Sequence, residues 1–146
     1  MAEKEYVIDC SSRILGRLAS RTAKMLLEGK TIKLVNAEKA MISGHPTQIV
    51  ASYKRKIELI DKANPEHSPY WPRRPDFLVK RIVRGMLPFK KPKGQAAFRR
   101  LMVYIGVPAE LKNAKMEKLE TKEVGEIYET SITVKELAER LGYRLN

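Results

Sequence analysis

The first 36 residues contain the pattern that most constrains the fold, two short strand-like runs on either side of an amphipathic stretch. Residues 5–9 and 31–36 contain the β-branched side chains typical of strands. Between them, six side chains share one arc of a helical wheel: Ile14, Leu15, Leu18, Thr22, Met25 and Leu26. A strand, a helix and a strand within about 32 residues form a βαβ unit, whose strands are parallel and whose crossover is right-handed.

The alternation of strands and helices continues as far as residue 105. Strands are predicted at 39–43 and 101–105, and helices at 13–28, 46–63, 76–86 and 95–100. Residues 108–129 have only weak periodicity, and no element is predicted there. The chain of 146 residues has the length of one domain. We therefore predict a single α/β domain over residues 1–146, with a mainly parallel sheet of about four strands.

Polar residues predict where two of the helices begin and end. Ser11 and Ser12 are placed to cap the first helix. Thr133 and Glu136 form a capping box for a last short helix, and Gly142 is placed to end it.

Composition excludes several classes of protein. The longest apolar runs span only a few residues, for example 49–51, whereas a transmembrane helix needs about 20. The polar start, MAEKEY, lacks the basic and then apolar stretch of a signal peptide. Cys10 is the only cysteine, so neither an internal disulfide nor a cysteine-based zinc site is expected. We therefore expect a cytoplasmic protein with no membrane partner.

The distribution of charge gives the strongest indication of a partner. The chain has 29 Lys and Arg against 17 Asp and Glu, a net charge of +12. Residues 69–104 hold ten basic side chains and one acidic side chain, Asp76, whereas residues 1–68 have a net charge of +4 and residues 105–146 of −1. Such an excess is typical of proteins that bind nucleic acid or an anionic membrane surface. The alternative is a basic protein whose charge serves solubility alone.

Catalytic and metal-binding motifs are absent from the sequence. The two histidines, His45 and His67, lie in proline-containing loops and suit surface positions. Cys10 ends the first strand, where it is either a packing residue or a nucleophile beside a helix N-terminus. No phosphate-binding glycine loop, dinucleotide fingerprint or acidic metal cluster is present. We therefore predict no enzyme activity, no catalytic residue, no metal, no cofactor and no small-molecule substrate.

The basic segment 69–104 combines cations with planar side chains, as RNA-binding surfaces do. Tyr70 and Trp71 are adjacent in a proline-rich loop, and Arg73 and Arg74 follow them. Aromatic rings and guanidinium groups stack on unpaired bases, and cations contact phosphates. The alternative for the aromatic pair is a hydrophobic plug that anchors the loop to the core.

Further cations are expected on the same surface. Three lysines, spaced by Pro92 and Gly94, favour phosphate contacts, and a solvated turn is the alternative. A basic row on the first helix is either part of the surface or a solvated helix face. The predicted RNA contacts are Arg13, Arg17, Arg21, Tyr70, Trp71, Arg73, Arg74, Lys80, Arg81, Arg84, Lys90, Lys91, Lys93, Arg99 and Arg100.

Three residues in this segment are predicted to shape turns: Gly85, Pro88 and Gly94. Glycine at position 85, near the end of a helix, would allow a positive φ or close approach of RNA. Pro88 is predicted to follow the end of the same helix.

Several motifs in a fixed order resemble one protein family. They are ILGRLA (14–19), VNAE (35–38), ISG (42–44), VRGMLP (83–88) and GQAAFRRLMVYIG (94–106). Together they resemble the universal large-subunit ribosomal protein thirteen family over about residues 5–110. SPYWPRRP (68–75) is similar to the archaeal and eukaryotic branches, and the absence of the long basic helical tail of eukaryotic members favours the archaeal branch.

The resemblance implies a three-layer α/β/α fold around a four-stranded parallel sheet and no enzyme activity. It implies a structural role in the large (50S) ribosomal subunit, with 23S rRNA and neighbouring ribosomal proteins as partners and early assembly as in bacterial relatives. It divides the chain into a family-like core of about residues 5–110 and a charged C-terminal extension of about residues 111–146. A free RNA-binding translational regulator and a nucleotide-using α/β enzyme are the alternative functions.

Overall fold

A parallel sheet organises the computed structural model, which describes residues 4–119 and 130–144. The strands in these residues are β1 (Glu5–Asp9), β2 (Thr31–Val35), β3 (Met41–Ser43), β4 (Leu101–Val103), β5 (Met116–Glu117) and β6 (Ser131–Thr133). Four of them form the parallel sheet, in the order β4-β2-β1-β5. The other two, β3 and β6, pair antiparallel as a separate sheet.

Helices cover one face of the parallel sheet. They are α1 (Leu15–Leu27), α2 (Pro46–Glu58), α3 (Pro75–Gly85), α4 (Pro92–Arg99) and α5 (Val134–Arg140). Ile8, Ile32 and Leu34 of the sheet belong to the core on this side. On the other face, Val7 and Val35 pack against residues 104–116, which include a short 3₁₀ helix. The structure confirms the predicted three-layer α/β class with a mainly parallel four-stranded sheet.

The first βαβ unit is built as predicted. β1 spans the predicted residues, and β2 is its parallel neighbour across α1. Most of β2 is buried on both faces, because it is a central strand with one layer above it and one below. None of the described helices combines the length and the apolar character that are needed to cross a membrane.

The predicted capping of α1 by Ser11 or Ser12 is wrong. The Ser11 hydroxyl donates instead to the Asp9 carboxylate at 2.8 Å, and Ser12 has a left-handed φ of 59°. Ile14 precedes the helix without any side-chain cap. The chain reverses in a tight turn after β1, with the Arg13 N–H donating to the Cys10 carbonyl at 3.2 Å, and this turn delays the helix.

The helix predicted at 46–63 ends earlier than its periodicity suggests. α2 ends at Glu58, and the residues that follow are in an exposed turn. The Asp61 carboxylate accepts hydrogen bonds from the N–H groups of Ala63 at 3.0 Å and Asn64 at 3.4 Å. Such local bonds from an aspartate compete with the helical backbone pattern.

Two strands of the structure differ from the prediction. β5 was not predicted, because it has only two residues and lies in the weakly periodic region. β5 is the fourth strand of the parallel sheet, at the edge next to β1. The strand predicted at 39–43, observed as β3, lies outside the parallel sheet and pairs with β6. The predicted number of strands in the sheet is therefore right, and its membership is corrected.

The described residues after 130 are part of the core. Ile132, Val134 and Leu137 are at most 1% exposed. Thr133 caps α5 as predicted, since the Glu136 N–H donates to the Thr133 hydroxyl oxygen at 3.1 Å, whereas the Glu136 carboxylate pairs with Arg140 at 2.6 Å. The predicted division between a core and an extension near residue 110 stays a prediction, and parts of it, residues 1–3, 120–129 and 145–146, lie outside the described residues.

Candidate nucleic-acid interface

Helix α3 joins the core to the basic surface. The side chains of its inner face are fully buried: Leu78, Val79 and Val83. Its outer face carries three half-buried cations: Lys80, Arg81 and Arg84. Because the inner face packs against α1 and β4, the outer cations project from a fixed element.

A groove of about 900 Å³ runs along this outer face, and we call it the aromatic groove. It brings together seven of the predicted RNA contacts: Tyr70, Trp71, Arg73, Arg74, Lys80, Arg81 and Arg84. Its apolar lining includes Ile57, Phe77, Phe89, Phe98 and Tyr143. The volume lies in the range of about 300–1,000 Å³ that is typical of ligand sites.

Four rings of the aromatic groove have a cation over them. The pairs, with the distance from cation to ring centroid, are Arg74 on Phe77 at 5.2 Å, Lys80 on Phe98 at 5.1 Å, Arg81 on Trp71 at 5.0 Å and Arg84 on Phe89 at 4.0 Å. Each distance is within the range of a cation–π contact. These contacts restrict long side chains before any ligand binds, which lowers the entropy lost on binding.

Tyr70 and Trp71 have different environments although they are adjacent. The Trp71 ring is half-buried and meets Tyr53 of α2 edge-on, with centroids 6.1 Å apart. Lys56 Nζ lies 4.6 Å from the centroid of Trp71, so the indole ties the loop to α2. Burial raises the pKa of the Tyr53 hydroxyl. Tyr70 is 83% exposed, so its ring is available for stacking, while the contacts of Trp71 agree with the plug alternative.

The single acidic residue of the basic segment is not among the residues that line the groove. Asp76 is buried at the start of α3. Its carboxylate accepts a hydrogen bond from the Phe77 N–H at 2.9 Å and forms an ion pair with Arg74 Nε at 3.0 Å. A carboxylate is favourable there because the helix dipole is positive at its N-terminus. Among the described residues that line the groove, none is acidic, so its potential attracts anions.

A second depression extends the aromatic groove towards α4. It has a volume of about 760 Å³, and Lys90 and Lys91 share it with Trp71, Arg81 and Arg84. The two lysines are exposed. The structure therefore places them beside the seven contacts of the groove and not on a separate surface.

Lys93 points to a different neighbourhood. It lines a depression of about 550 Å³ with Lys24 of α1. Lys91 is the N-cap residue of α4 and Lys93 lies in its first turn, which contains no acidic residue. Positive charge at this end of a helix is unfavourable, and a bound anion removes that cost. All three lysines are exposed, and both their phosphate contacts and the solvated-turn alternative stay predictions.

The remaining predicted contacts lie outside these depressions. The exposed residues Arg17 and Arg21 are on α1, Arg13 precedes that helix, and Arg99 ends α4. Arg100 has a structural contact, because its guanidinium donates to the Leu26 carbonyl at 2.7 Å and so caps the end of α1. The structure does not bring these arginines together with the groove.

The predicted turn residues behave differently from one another. Gly85 is the last residue of α3, has no positive φ and has open space where a Cβ would lie. The predicted positive φ is therefore wrong, and close approach of RNA at this position stays a prediction. Gly94 lies within α4, which begins at Pro92 and not at the predicted residue 95, because proline suits the first turn of a helix. A Cβ on Gly94 would overlap the Pro88 carbonyl oxygen, so position 94 is the one of the two that requires glycine.

Sequence analysis missed several residues of the groove. Phe77, Phe89 and Phe98 lie inside the basic segment and alternate with cations, a pattern that could have identified them. Tyr143, which follows α5, lines the groove, and Lys56 of α2 contacts the Trp71 ring, so only the tertiary structure brings these two residues to this region.

Cys10 is a packing residue. Its side chain is fully buried, and burial, followed by the nearby charges of Asp9 and Glu38, raises the pKa of the thiol far above its ordinary value. A fully buried thiol has no access to a substrate, so the structure supports the packing alternative. Within residues 4–119 and 130–144, no group of three or more His, Cys, Asp or Glu side chains could hold a metal ion.

Comparison with known proteins gives the family. The profile described as Ribosomal protein L13 matches residues 3–110. A protein of Archaeoglobus fulgidus named large ribosomal subunit protein uL13 is 45% identical over 140 residues, which cover 94% of this chain and 88% of the relative. Proteins of the same name from Methanopyrus kandleri and Sulfurisphaera tokodaii are 39% and 42% identical, covering 98% and 97% of this chain and 90% and 97% of their own lengths. These matches confirm the predicted family and its archaeal branch and agree with a protein that is not an enzyme: the chain belongs to the ribosomal protein L13 family.

Proposed function

We propose that this chain is a structural constituent of the large ribosomal subunit in the cytoplasm, that it binds 23S rRNA through its basic surface, and that it joins the subunit early in assembly. Its relatives are named as proteins of the large ribosomal subunit, which supports the first part. The observation that carries rRNA binding is the convergence of seven predicted contacts, among them Arg73, Arg81 and Arg84, on one groove without a described acidic side chain.

Charge and rigidity provide the mechanism. Lysine and arginine side chains neutralise phosphates and release the counterions that these phosphates held, which favours association. Contacts to phosphates fix the position of RNA without reading its sequence. Because α3 is packed into the core, the cations on its outer face keep their spacing when RNA binds. The protein thus holds neighbouring RNA segments in a fixed relation, mostly by shape and backbone.

Sedimentation tests the place of the protein in the cell. Tagged protein is expressed in its source organism, and its position in a sucrose gradient is compared with that of the ribosomal subunits. We expect it to travel with the large subunit. A variant with Arg73, Arg81 and Arg84 replaced by Gln should shift towards the top of the gradient, while a variant with Lys112, Lys115 and Lys118 replaced by Gln should not. Wild-type protein that stays free at the top would favour the translational regulator.

Early assembly is tested by the order of binding. The described core is complete without a partner chain, because β6 and α5 fill it from within the chain. We therefore expect purified protein to bind protein-free 23S rRNA and to be present in precursor particles that lack most other proteins. Neighbouring ribosomal proteins are proposed as later partners, which chemical cross-linking in the mature subunit identifies. A requirement for other bound proteins before this one would contradict the early role.

A further inference from the structure

We propose that the aromatic groove binds one unpaired nucleobase of rRNA, which stacks on the guanidinium groups of Arg81 and Arg84 while neighbouring cations hold the flanking phosphates. The inference rests on the proposed rRNA binding. It goes beyond that proposal because it assigns a base contact within a surface otherwise expected to recognise RNA by shape and backbone.

The lining of the groove suits a planar ligand. The groove has a volume of about 900 Å³, and Tyr70, one of its lining residues, is 83% exposed. Phe77 is 51% exposed beside it. Large exposed rings are unfavourable in water, and a stacked base covers them without requiring a particular sequence.

The two arginines are positioned for stacking. Arg84 Cζ lies 4.0 Å from the centroid of Phe89, and Arg81 Cζ lies 5.0 Å from that of Trp71. Phe89 is in turn fixed by an edge-on contact with Phe98, with centroids 5.4 Å apart. Both arginines line the groove, and Arg planes are common stacking partners of splayed RNA bases.

The charge of the rim favours a nucleotide over a peptide. Five cations line the groove: Arg73, Arg74, Lys80, Arg81 and Arg84. Asp76, the only acid of the basic segment, is occupied by Arg74 and the start of α3. A nucleotide carries one phosphate with every base, so its base can cover the rings while its phosphate neutralises the cations. An apolar peptide would instead leave the cations partly desolvated without a counter-charge.

Three hairpin RNAs separate base binding from phosphate binding. The first is fully paired, the second carries one bulged adenosine, and the third carries an abasic site at the bulge, so that the second and third have equal numbers of phosphates. Trp71 is the only tryptophan of the chain and lines the groove, so its fluorescence reports on the site. We expect the bulged adenosine to bind at least about fivefold more tightly than the abasic bulge and to quench Trp71 more strongly.

A charge-preserving variant tests the role of the arginines. Arg81→Lys with Arg84→Lys keeps the net charge but removes the planar groups. We expect it to lose most of the preference for the bulged adenosine over the abasic bulge. The matched control is Arg17→Lys with Arg21→Lys on α1, which should keep that preference. Thermal unfolding of each variant checks that the fold is retained.

The outcomes distinguish this inference from the proposal on which it rests. Equal binding of the bulged and abasic hairpins would overturn the base site and leave rRNA binding in place. A preference that survives in the Arg81→Lys, Arg84→Lys variant would overturn the assignment to these arginines. Failure to bind any of the three hairpins or protein-free 23S rRNA would remove the proposed function itself.

Discussion

Replacing Gly94 with alanine should destabilise the protein by about 1–3 kcal/mol. The added methyl group would overlap the Pro88 carbonyl oxygen and approach the Phe89 nitrogen to 3.0 Å. The carbonyl oxygen cannot move away without loss, because it accepts a hydrogen bond from the Lys91 N–H at 2.9 Å. Overpacking costs about 1–3 kcal/mol and a weakened hydrogen bond about 1, while alanine regains about 1 through its higher helix propensity.

The matched control is Gly85→Ala. Gly85 is exposed at the end of α3, has no positive φ and has open space where a Cβ would lie. Alanine there should leave stability unchanged or raise it by about 0.4–1 kcal/mol, because it restricts the unfolded chain. Free energies of unfolding from urea titrations of the wild type and both variants measure the difference. If Gly94→Ala were as stable as Gly85→Ala, α4 would not be held against Pro88 as described.

Three further perturbations have defined outcomes. Replacing Lys90, Lys91 and Lys93 by Gln should reduce the slope of log K for rRNA binding against log salt by roughly two to three units. Replacing Lys112, Lys115 and Lys118 by Gln removes the same charge and should change the slope much less. Equal effects of the two variants would mean that only net charge matters. Burial alone would raise the pKa of Asp9, but hydrogen bonds from the Ser11 N–H, the Asn36 amide and the Ser11 hydroxyl together lower this pKa. The Asp9 carboxylate therefore stabilises the fold above its ordinary pKa of 3.8, and this stabilisation is lost as pH falls through the pKa of the folded state. Asn36→Gly keeps the left-handed φ of 55° and removes the amide, so circular dichroism should detect acid unfolding at a higher pH; an unchanged midpoint would exclude this bond as a stabilising contact. Deleting residues 131–146 removes the fully buried Ile132, Val134 and Leu137. Loss of a buried side chain of this kind lowers the free energy of unfolding by about 2–5 kcal/mol, and the total for a domain is about 5–15 kcal/mol. The truncated chain should therefore show no cooperative thermal transition.

Elements with long and regular patterns were predictable from sequence. α3 has a clear helical period and β1 is a short run of strand-forming residues, and the positions of both agree with the prediction to within a residue. The errors occur where local hydrogen bonds compete with periodicity. Asp61 ends α2 early, and Asp9 takes the Ser11 hydroxyl that was expected to cap α1.

The candidate site was predictable only in part. Charge density identified the basic segment, and the helical wheel separated the outer cations of α3 from its buried face. Burial of Cys10 and the open space at Gly85 depend on packing, which no local pattern encodes. Lys56 is separated from Trp71 by a helix end and a proline-rich loop, so its contact with the indole ring could not be inferred from spacing.

The segment beyond the family match contributes to the groove through the end of α5. The family profile covers residues 3–110, yet Tyr143 lines the aromatic groove. Gly142 has a φ of 100°, its N–H donates to the Glu139 carbonyl at 3.1 Å, and the Tyr143 N–H donates to the Ala138 carbonyl at 2.9 Å. This pair of bonds is the Schellman arrangement, in which glycine reverses the chain and the next residue packs back along the helix. Because α5 is anchored in the core by Val134 and Leu137, the same segment that completes the fold also fixes one wall of the groove.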